Sequence, residues 1–141
     1  MRIISIVGHS NSGKTTLVTR LVPELAKIAQ VATIKHLGHH TFALPDGKDT
    51  TLHYNAGALC GAGIDGEKTV ITLRDTDVFT ILDFYAFMRY DYVVIEGFKE
   101  LGYPCVALGD LYPEKELLHD PSVEEILKIR YSFAVYEPRK R

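Results

Sequence analysis

Apolar and polar positions alternate in blocks along this chain, and the blocks follow two different periods. Residues 2–7 (RIISIV) form a short β-branched run that stops at Gly8, the pattern of a strand buried on both faces. Over 15–29, Leu17, Val18, Leu21, Val22, Leu25 and Ile28 recur at helical spacing. Pro23 inside that pattern deletes one helix hydrogen bond and predicts a kink rather than an end. Residues 31–35 (VATIK) read as a second strand. The polar stretch 36–48 is long for a connection, and long ordered loops tend to carry function. A short helix is expected over 49–55. The runs 58–62 and 68–73, separated by Ile64-Asp65-Gly66-Glu67, predict a β-hairpin.

A helix from Val78 to Arg89, capped by Asp75 or Asp77, is apolar nearly all round. Burial on more than one side follows, by the sheet and a neighbouring helix or by a second subunit. Residues 92–95 (YVVI) and 105–108 (CVAL) read as further buried strands. Ser122 and the acidic pair Glu124-Glu125 open a helix to Ile129, and 133–136 reads as a last strand. The basic tail 138–141 is expected to fray. All-apolar strands alternating with helices predict an α/β fold with a mostly parallel sheet plus a β-hairpin, helices covering both faces in three layers. Ligands of such sheets sit at the carboxyl ends of the strands.

Gly8-His9-Ser10-Asn11-Ser12-Gly13-Lys14-Thr15 fits G-x-x-x-x-G-K-[ST] at every fixed position. A buried strand precedes it and a helix follows it, which makes the match specific for a phosphate-binding loop (P-loop). Gly8 lets the chain turn out of the strand, and Gly13 lets backbone N–H groups crowd an anion. Those amides and the positive end of the following helix solvate phosphate oxygens. Lys14 reaches the β/γ-phosphates, and the Thr15 hydroxyl ligates Mg²⁺. Thr16 completes the run of nucleotide-binding residues from Gly8. The fold class sharpens to a P-loop NTPase-like domain.

Composition narrows the function classes. Sixteen Lys+Arg against eighteen Asp+Glu give a net charge of −2 over 141 residues, so no global basic excess recruits nucleic acid or an anionic membrane. No apolar run approaches the ~20 residues of a membrane span, and the start of the chain lacks the features of a signal peptide. One domain over 1–141, in the cytoplasm, is the expectation. Cys60 and Cys105 are too few for a disulfide framework and read as small core residues.

A P-loop needs a carboxylate at the end of a neighbouring strand to hold the metal's water shell. Val93-Val94-Ile95-Glu96-Gly97 supplies Glu96 at the end of a buried run. Taken in order, GHSNSGKTTL (8–17), TIKH (33–36), HH (39–40), GKDT (47–50), AGA (56–58) and VVIEGFK (93–99) resemble the molybdopterin-guanine dinucleotide biosynthesis adapter protein B (MobB) family over roughly residues 1–110. The resemblance implies a GTP- and Mg²⁺-binding, often dimeric cytosolic adapter. Its implied partner is the molybdenum cofactor guanylyltransferase, which joins GMP to molybdopterin, with at most slow GTP hydrolysis. It also implies that Glu96 plays the acidic-strand role and that Asp49 lies near the γ-phosphate or metal. Catalysis, if any, would fall to Asp49 and Glu96, and the metal to Thr15, Glu96 and Asp49.

Two departures stand out. The family usually continues GKD with Ser/Thr-Trp-Arg, whereas this chain has Asp49-Thr50-Thr51-Leu52-His53. The segment after Gly109 matches weakly, which leaves base recognition, sought near Asp110, unassigned; no [NT]-K-x-D guanine motif is present. His36, His39, His40 and His53 cluster in sequence, but their spacing matches no dedicated metal site. Lys35, His36 and Lys99 follow strands directly and are candidates for a second anion, such as the pterin phosphate. Two other functions compete: a small-molecule kinase on the same P-loop, which would need an arginine-rich lid that this sequence lacks, and a non-catalytic dimeric scaffold.

Overall fold

The computed structural model describes residues 1–38 and 40–139. The chain divides into two compact units, one of residues 1–36 and 82–141, the other of residues 37–81.

The first unit is built on five parallel strands: β1 (Arg2–Gly8), β2 (Val31–Lys35), β5 (Tyr92–Glu96), β6 (Cys105–Leu108) and β7 (Glu116–His119), in the order β2-β5-β1-β6-β7. Alternation along the strands separates two faces. Ile4, Ile6, Val94, Val106 and Leu108 pack with Leu17, Leu21 and Leu25 of helix α1 (Lys14–Ala26) and Ile126 of helix α4 (Val123–Lys128). Ile3, Val93, Ile95 and Ala107, on the opposite face, are fully buried. The helix runs through Pro23 and ends at Ala26, short of the expected Ala29, because the N–H groups of Ile28 and Ala29 both turn back to the Leu25 carbonyl. Ser122 and Glu125 form a reciprocal capping box that starts α4.

Two expectations need correction. The segment 133–136 is no strand: it contributes one isolated antiparallel bridge between Val135 and Arg2, while Phe133 and Tyr136 are buried by packing. Strand β7 takes the sheet edge instead, and its ELLH sequence carries too short an apolar run to signal it. Cys105 is a core residue, but Cys60 is exposed.

The helix at 78–89 is observed as α3 (Val78–Phe87). Leu82 is fully buried, but Phe84, Phe87 and Met88 are exposed, so its apolar circumference is covered on one side only within the chain. The tail is anchored through Arg139. Asp83 accepts hydrogen bonds from the Tyr136 hydroxyl at 2.6 Å and from the Arg139 guanidinium at 2.7 Å and backbone N–H at 3.0 Å. Lys140 and Arg141 lie outside the described residues.

These bonds, the Tyr136 hydroxyl first and Arg139 next, hold the Asp83 carboxyl at about 2. An unfolded Asp titrates near ~3.9. The clamp's stabilisation is therefore complete above that value and is lost as pH falls through it toward 2. Asp83→Asn should lower Tm at neutral pH and flatten the fall of Tm between about pH 5 and 2.5. A Tm–pH curve that merely shifts down in parallel would contradict this.

The second unit contains helix α2 (Asp49–Asn55) and the antiparallel hairpin of β3 (Cys60–Ile64) and β4 (Thr69–Leu73). Asp65 makes the turn by accepting the N–H groups of Glu67 and Lys68 at 2.8 Å. Register places Gly61, Gly63, Val70 and Thr72 on one face and Cys60, Ala62, Ile64, Ile71 and Leu73 on the other. The glycine face is the one α2 approaches: a Cβ on Gly63 would meet Thr50 Cγ2 at 3.1 Å. The apolar face stays open, with Ile64 79% and Ile71 48% exposed. Among the described residues of this unit only Thr51 and Val78 are buried, so it has almost no core of its own.

Candidate functional site

The site grows from the carboxyl end of β1. Gly8 is still within the strand there, and a side chain would hinder the turn that follows, as the sequence implies: a Cβ at this position would meet Ser12 Oγ at 2.4 Å and the Leu108 carbonyl oxygen at 2.9 Å. Glycine is required because the loop folds back onto β1 and β6 and leaves no room. Asn11 (φ 63°) and Gly13 (φ 89°) take the left-handed conformation, so the loop curls before α1 begins. Asparagine and glycine tolerate that conformation better than other residues. Gly13 caps α1, and its carbonyl accepts the Leu17 N–H at 3.0 Å. The unpaired N–H groups of the first helical turn thus face the loop at the sheet's carboxyl edge.

Lys14 folds back over the loop. Its ammonium donates to the Gly8 carbonyl at 2.9 Å and to the His9 carbonyl. Two carbonyls thereby fix a positive charge above the curl that His9, Ser10, Asn11 and Ser12 form. Thr15 and Thr16 follow in the first turn of α1.

Glu96 is the last residue of β5, beside β1, and is buried at 7% exposure. Thr15 donates its hydroxyl to Glu96 Oε1 at 2.7 Å. The structure thus brings the loop threonine and the strand-end carboxylate into direct contact. Lys35, at the end of β2, approaches the same two groups, 3.1 Å from Glu96 Oε1 and 3.1 Å from Thr15 Oγ1. Sequence reading placed Lys35 at this edge as an anion site and missed the ion pair, although the registered ends of β2 and β5 (Lys35 beside Glu96) account for it. Burying an uncompensated carboxylate is costly, and Lys35 supplies the compensation.

A hydroxyl and a carboxylate converging at one point are hard oxygen donors, which suit Mg²⁺. Thr15 and Glu96 fit that ion, and Lys35 would compete with it for both oxygens. Because the Lys35 side chain is half exposed, Lys35→Met should cost about 1 kcal/mol, roughly 3 °C in Tm. Added Mg²⁺ should recover part of the loss. Thermal melts with and without MgCl₂ check this, and a variant insensitive to both changes would refute the shared-site assignment.

The motifs TIKH and IEGFK meet here. His36 continues β2, donating its N–H to the Glu96 carbonyl at 2.9 Å, and its ring stacks on Phe98 at 4.2 Å. Gly97 (φ 91°) is needed because a Cβ there would come within 3.0 Å of His36 Cβ. His36 thus braces the turn that follows Glu96. Asp49 opens α2 in the second unit and is exposed. His39 lies outside the described residues, and among the described residues no group of three His, Cys, Asp or Glu is arranged to hold a metal. No helix of the described residues is long and apolar enough to cross a membrane.

Comparisons with known proteins give the family and the fold. Residues 3–128 match the family model described as molybdopterin guanine dinucleotide synthesis protein B, MobB. A Bacillus subtilis protein named probable molybdopterin-guanine dinucleotide biosynthesis adapter protein is 33% identical over 92% of this chain and 75% of its own length. A Haemophilus influenzae protein named molybdopterin-guanine dinucleotide biosynthesis adapter protein is 36% identical over 87% of this chain and 70% of its own. The crystal structure of Bacillus subtilis MobB superposes with a TM-score of 0.73 at 22% identity, covering 95% of this chain and 99% of that one, and so shares the P-loop NTPase-like fold. Matched over nearly its whole length, the chain belongs to the MobB family of molybdopterin-guanine dinucleotide synthesis proteins.

Proposed function

We propose that this protein binds Mg-GTP at the Gly8–Thr16 loop and, in that state, assists the guanylyltransferase that attaches GMP to molybdopterin. The observation that carries the nucleotide reading is the convergence of Lys14, Thr15 and Glu96 at the carboxyl ends of adjacent strands. Loop amides and the start of α1 would solvate the phosphates. Lys14 would exchange its two carbonyl acceptors for phosphate oxygens, which are stronger partners for an ammonium. Thr15 and Glu96 would hold Mg²⁺, and Asp49 is assigned to the metal or γ-phosphate by family resemblance. A bound Mg²⁺ neutralises charge on the β- and γ-phosphates.

Hydrolysis is at most slow in this reading. The Glu96 carboxylate is engaged by Thr15 and Lys35, which suits holding a cation better than activating a water. The guanine preference and the partner enzyme come from the family. Calorimetric titration with non-hydrolysable GTP and ATP analogues plus Mg²⁺ tests the reading. Saturable GTP binding supports it, and no binding of either nucleotide to folded protein rejects it.

The same reading includes a homodimer, in a cytoplasmic protein. Its support is the open hairpin face of Ala62, Ile64, Ile71 and Leu73. A two-stranded hairpin is marginal in water unless its apolar face is covered. A second copy brings an equal apolar face, which a two-fold axis can pair with this one.

A further inference from the structure

A nucleotide on this loop has a direction along the sheet edge. In the proposed complex Thr15 and Glu96, on the β5 side of β1, would hold its metal-bound end. Strands β6 and β7 lie on the other side of β1. A ligand whose β- and γ-phosphates met Lys14 and that pair would have the carboxyl ends of β6 and β7 on its other side, within the same sheet edge, for its ribose and base.

Those two ends are stapled together. Asp120 follows β7 and adopts φ 44°, uncommon for a residue with a side chain. Its N–H donates to the Ala107 carbonyl at 2.9 Å, and its Oδ1 accepts the Gly109 N–H at 2.9 Å. Gly109 in turn lies against the phosphate loop, where a Cβ would come within 3.6 Å of Ser12 Cβ. Backbone strain held by specific contacts at a ligand edge is a recognised mark of a functional turn. The residue this turn presents is Asp110. It is exposed and, among the described residues, has no hydrogen-bond or ion-pair partner. Two residues on, Tyr112 is 73% exposed and lies flat on the His119 ring, with centroids 4.6 Å apart and planes at 4°. One face of the phenol is covered by the imidazole, and the other is open for stacking.

We propose that Asp110 and Tyr112 form the base subsite, Asp110 accepting hydrogen bonds from the guanine edge and Tyr112 stacking on the base. Asp120 is a positioning residue that holds the turn. The chemistry selects guanine. An ionised carboxylate only accepts hydrogen bonds. Guanine offers adjacent N1–H and N2–H donors, whereas adenine offers an acceptor at N1, which faces the carboxylate unfavourably. Stacking on Tyr112 adds affinity without choosing between purines.

The inference rests on the nucleotide reading above, and one titration series separates their failures. Non-hydrolysable GTP, ATP and XTP analogues with Mg²⁺ are titrated into wild type, Asp110→Asn, Tyr112→Ala and Lys14→Ala, each checked for an unchanged melt. Xanthine carries a carbonyl where guanine has its N2 amine, so Asn at 110 should accept it. Hydrogen bonds to a charged group are worth enough that Asp110→Asn should weaken GTP on the order of 10- to 100-fold and strengthen XTP by a similar factor. A gain in XTP binding cannot arise from misfolding. Tyr112→Ala should weaken all three nucleotides. If Asp110→Asn binds GTP and XTP as wild type does while Lys14→Ala has lost binding, the base subsite lies elsewhere and the phosphate site stands. Equal GTP and ATP binding by wild type also overturns the subsite. If wild type binds no nucleotide, both readings fall.

Discussion

Lys14→Ala should abolish measurable GTP binding while leaving the fold intact. Among the described residues the ammonium donates to the Gly8 and His9 carbonyls at the loop, and it is not part of the apolar core. Its loss therefore costs little stability, and thermal melting should change by no more than a few degrees. The loss to the ligand is large. Two or three charge-assisted hydrogen bonds to phosphate, at roughly 1.5–3 kcal/mol each, amount to a weakening on the order of 100- to 10,000-fold. Titration calorimetry at matched protein concentration reads this directly. Lys14→Ala protein that binds Mg-GTP within a few-fold of wild type would remove the phosphate loop from the account.

Ile64→Asp combined with Ile71→Asp should convert a dimer to monomers. Both side chains lie on the open face of the β3–β4 hairpin, Ile64 79% and Ile71 48% exposed. In a monomer two surface substitutions of this kind are nearly neutral. Across a two-fold interface the same change buries four like charges in an apolar contact. Uncompensated buried charge costs several kcal/mol, on the order of 100-fold or more in the dimer dissociation constant. Sedimentation velocity over a range of concentrations distinguishes the outcomes. Wild type that stays monomeric throughout, or a double variant that dimerises equally well, would place the interface elsewhere or remove it.

What the sequence revealed follows from where the constraints are local. Gly8-x₄-Gly13-Lys14-Thr15 and the strand-end Glu96 could be read because each sits at the end of an apolar run whose length marks a buried strand. The structure joins them through one hydrogen bond between α1 and β5. The ion pair of Lys35 with Glu96 was hidden because it depends on β2 pairing with β5, a neighbour relation between residues 61 positions apart along the register. Periodicity fixes which face a residue takes, not which strand lies beside it. The same limit applies to β7, whose ELLH sequence is edge-like, and to the segment 133–136. Its continuous apolar run, Phe133 to Tyr136, resembles a strand, yet Phe133 and Tyr136 serve as packing groups. The tail looked free because it is basic and terminal; Asp83, more than fifty residues earlier, holds it. The need for Gly8 was legible as well: its absent Cβ makes room for Ser12 of the returning loop, and the added crowding from Leu108 depends on β6 lying beside β1.

The central claim is a nucleotide-dependent adapter, and the measurement that addresses it most directly is binding to the guanylyltransferase itself. Purified enzyme is immobilised, and this protein is applied with Mg²⁺ and a non-hydrolysable GTP analogue, with Mg²⁺ alone, and as Lys14→Ala with the analogue. The account predicts a complex with the analogue that weakens at least tenfold in the other two arms, a difference of about 1.4 kcal/mol. Absence of a complex in every arm, with protein that is folded and nucleotide-bound, would contradict it.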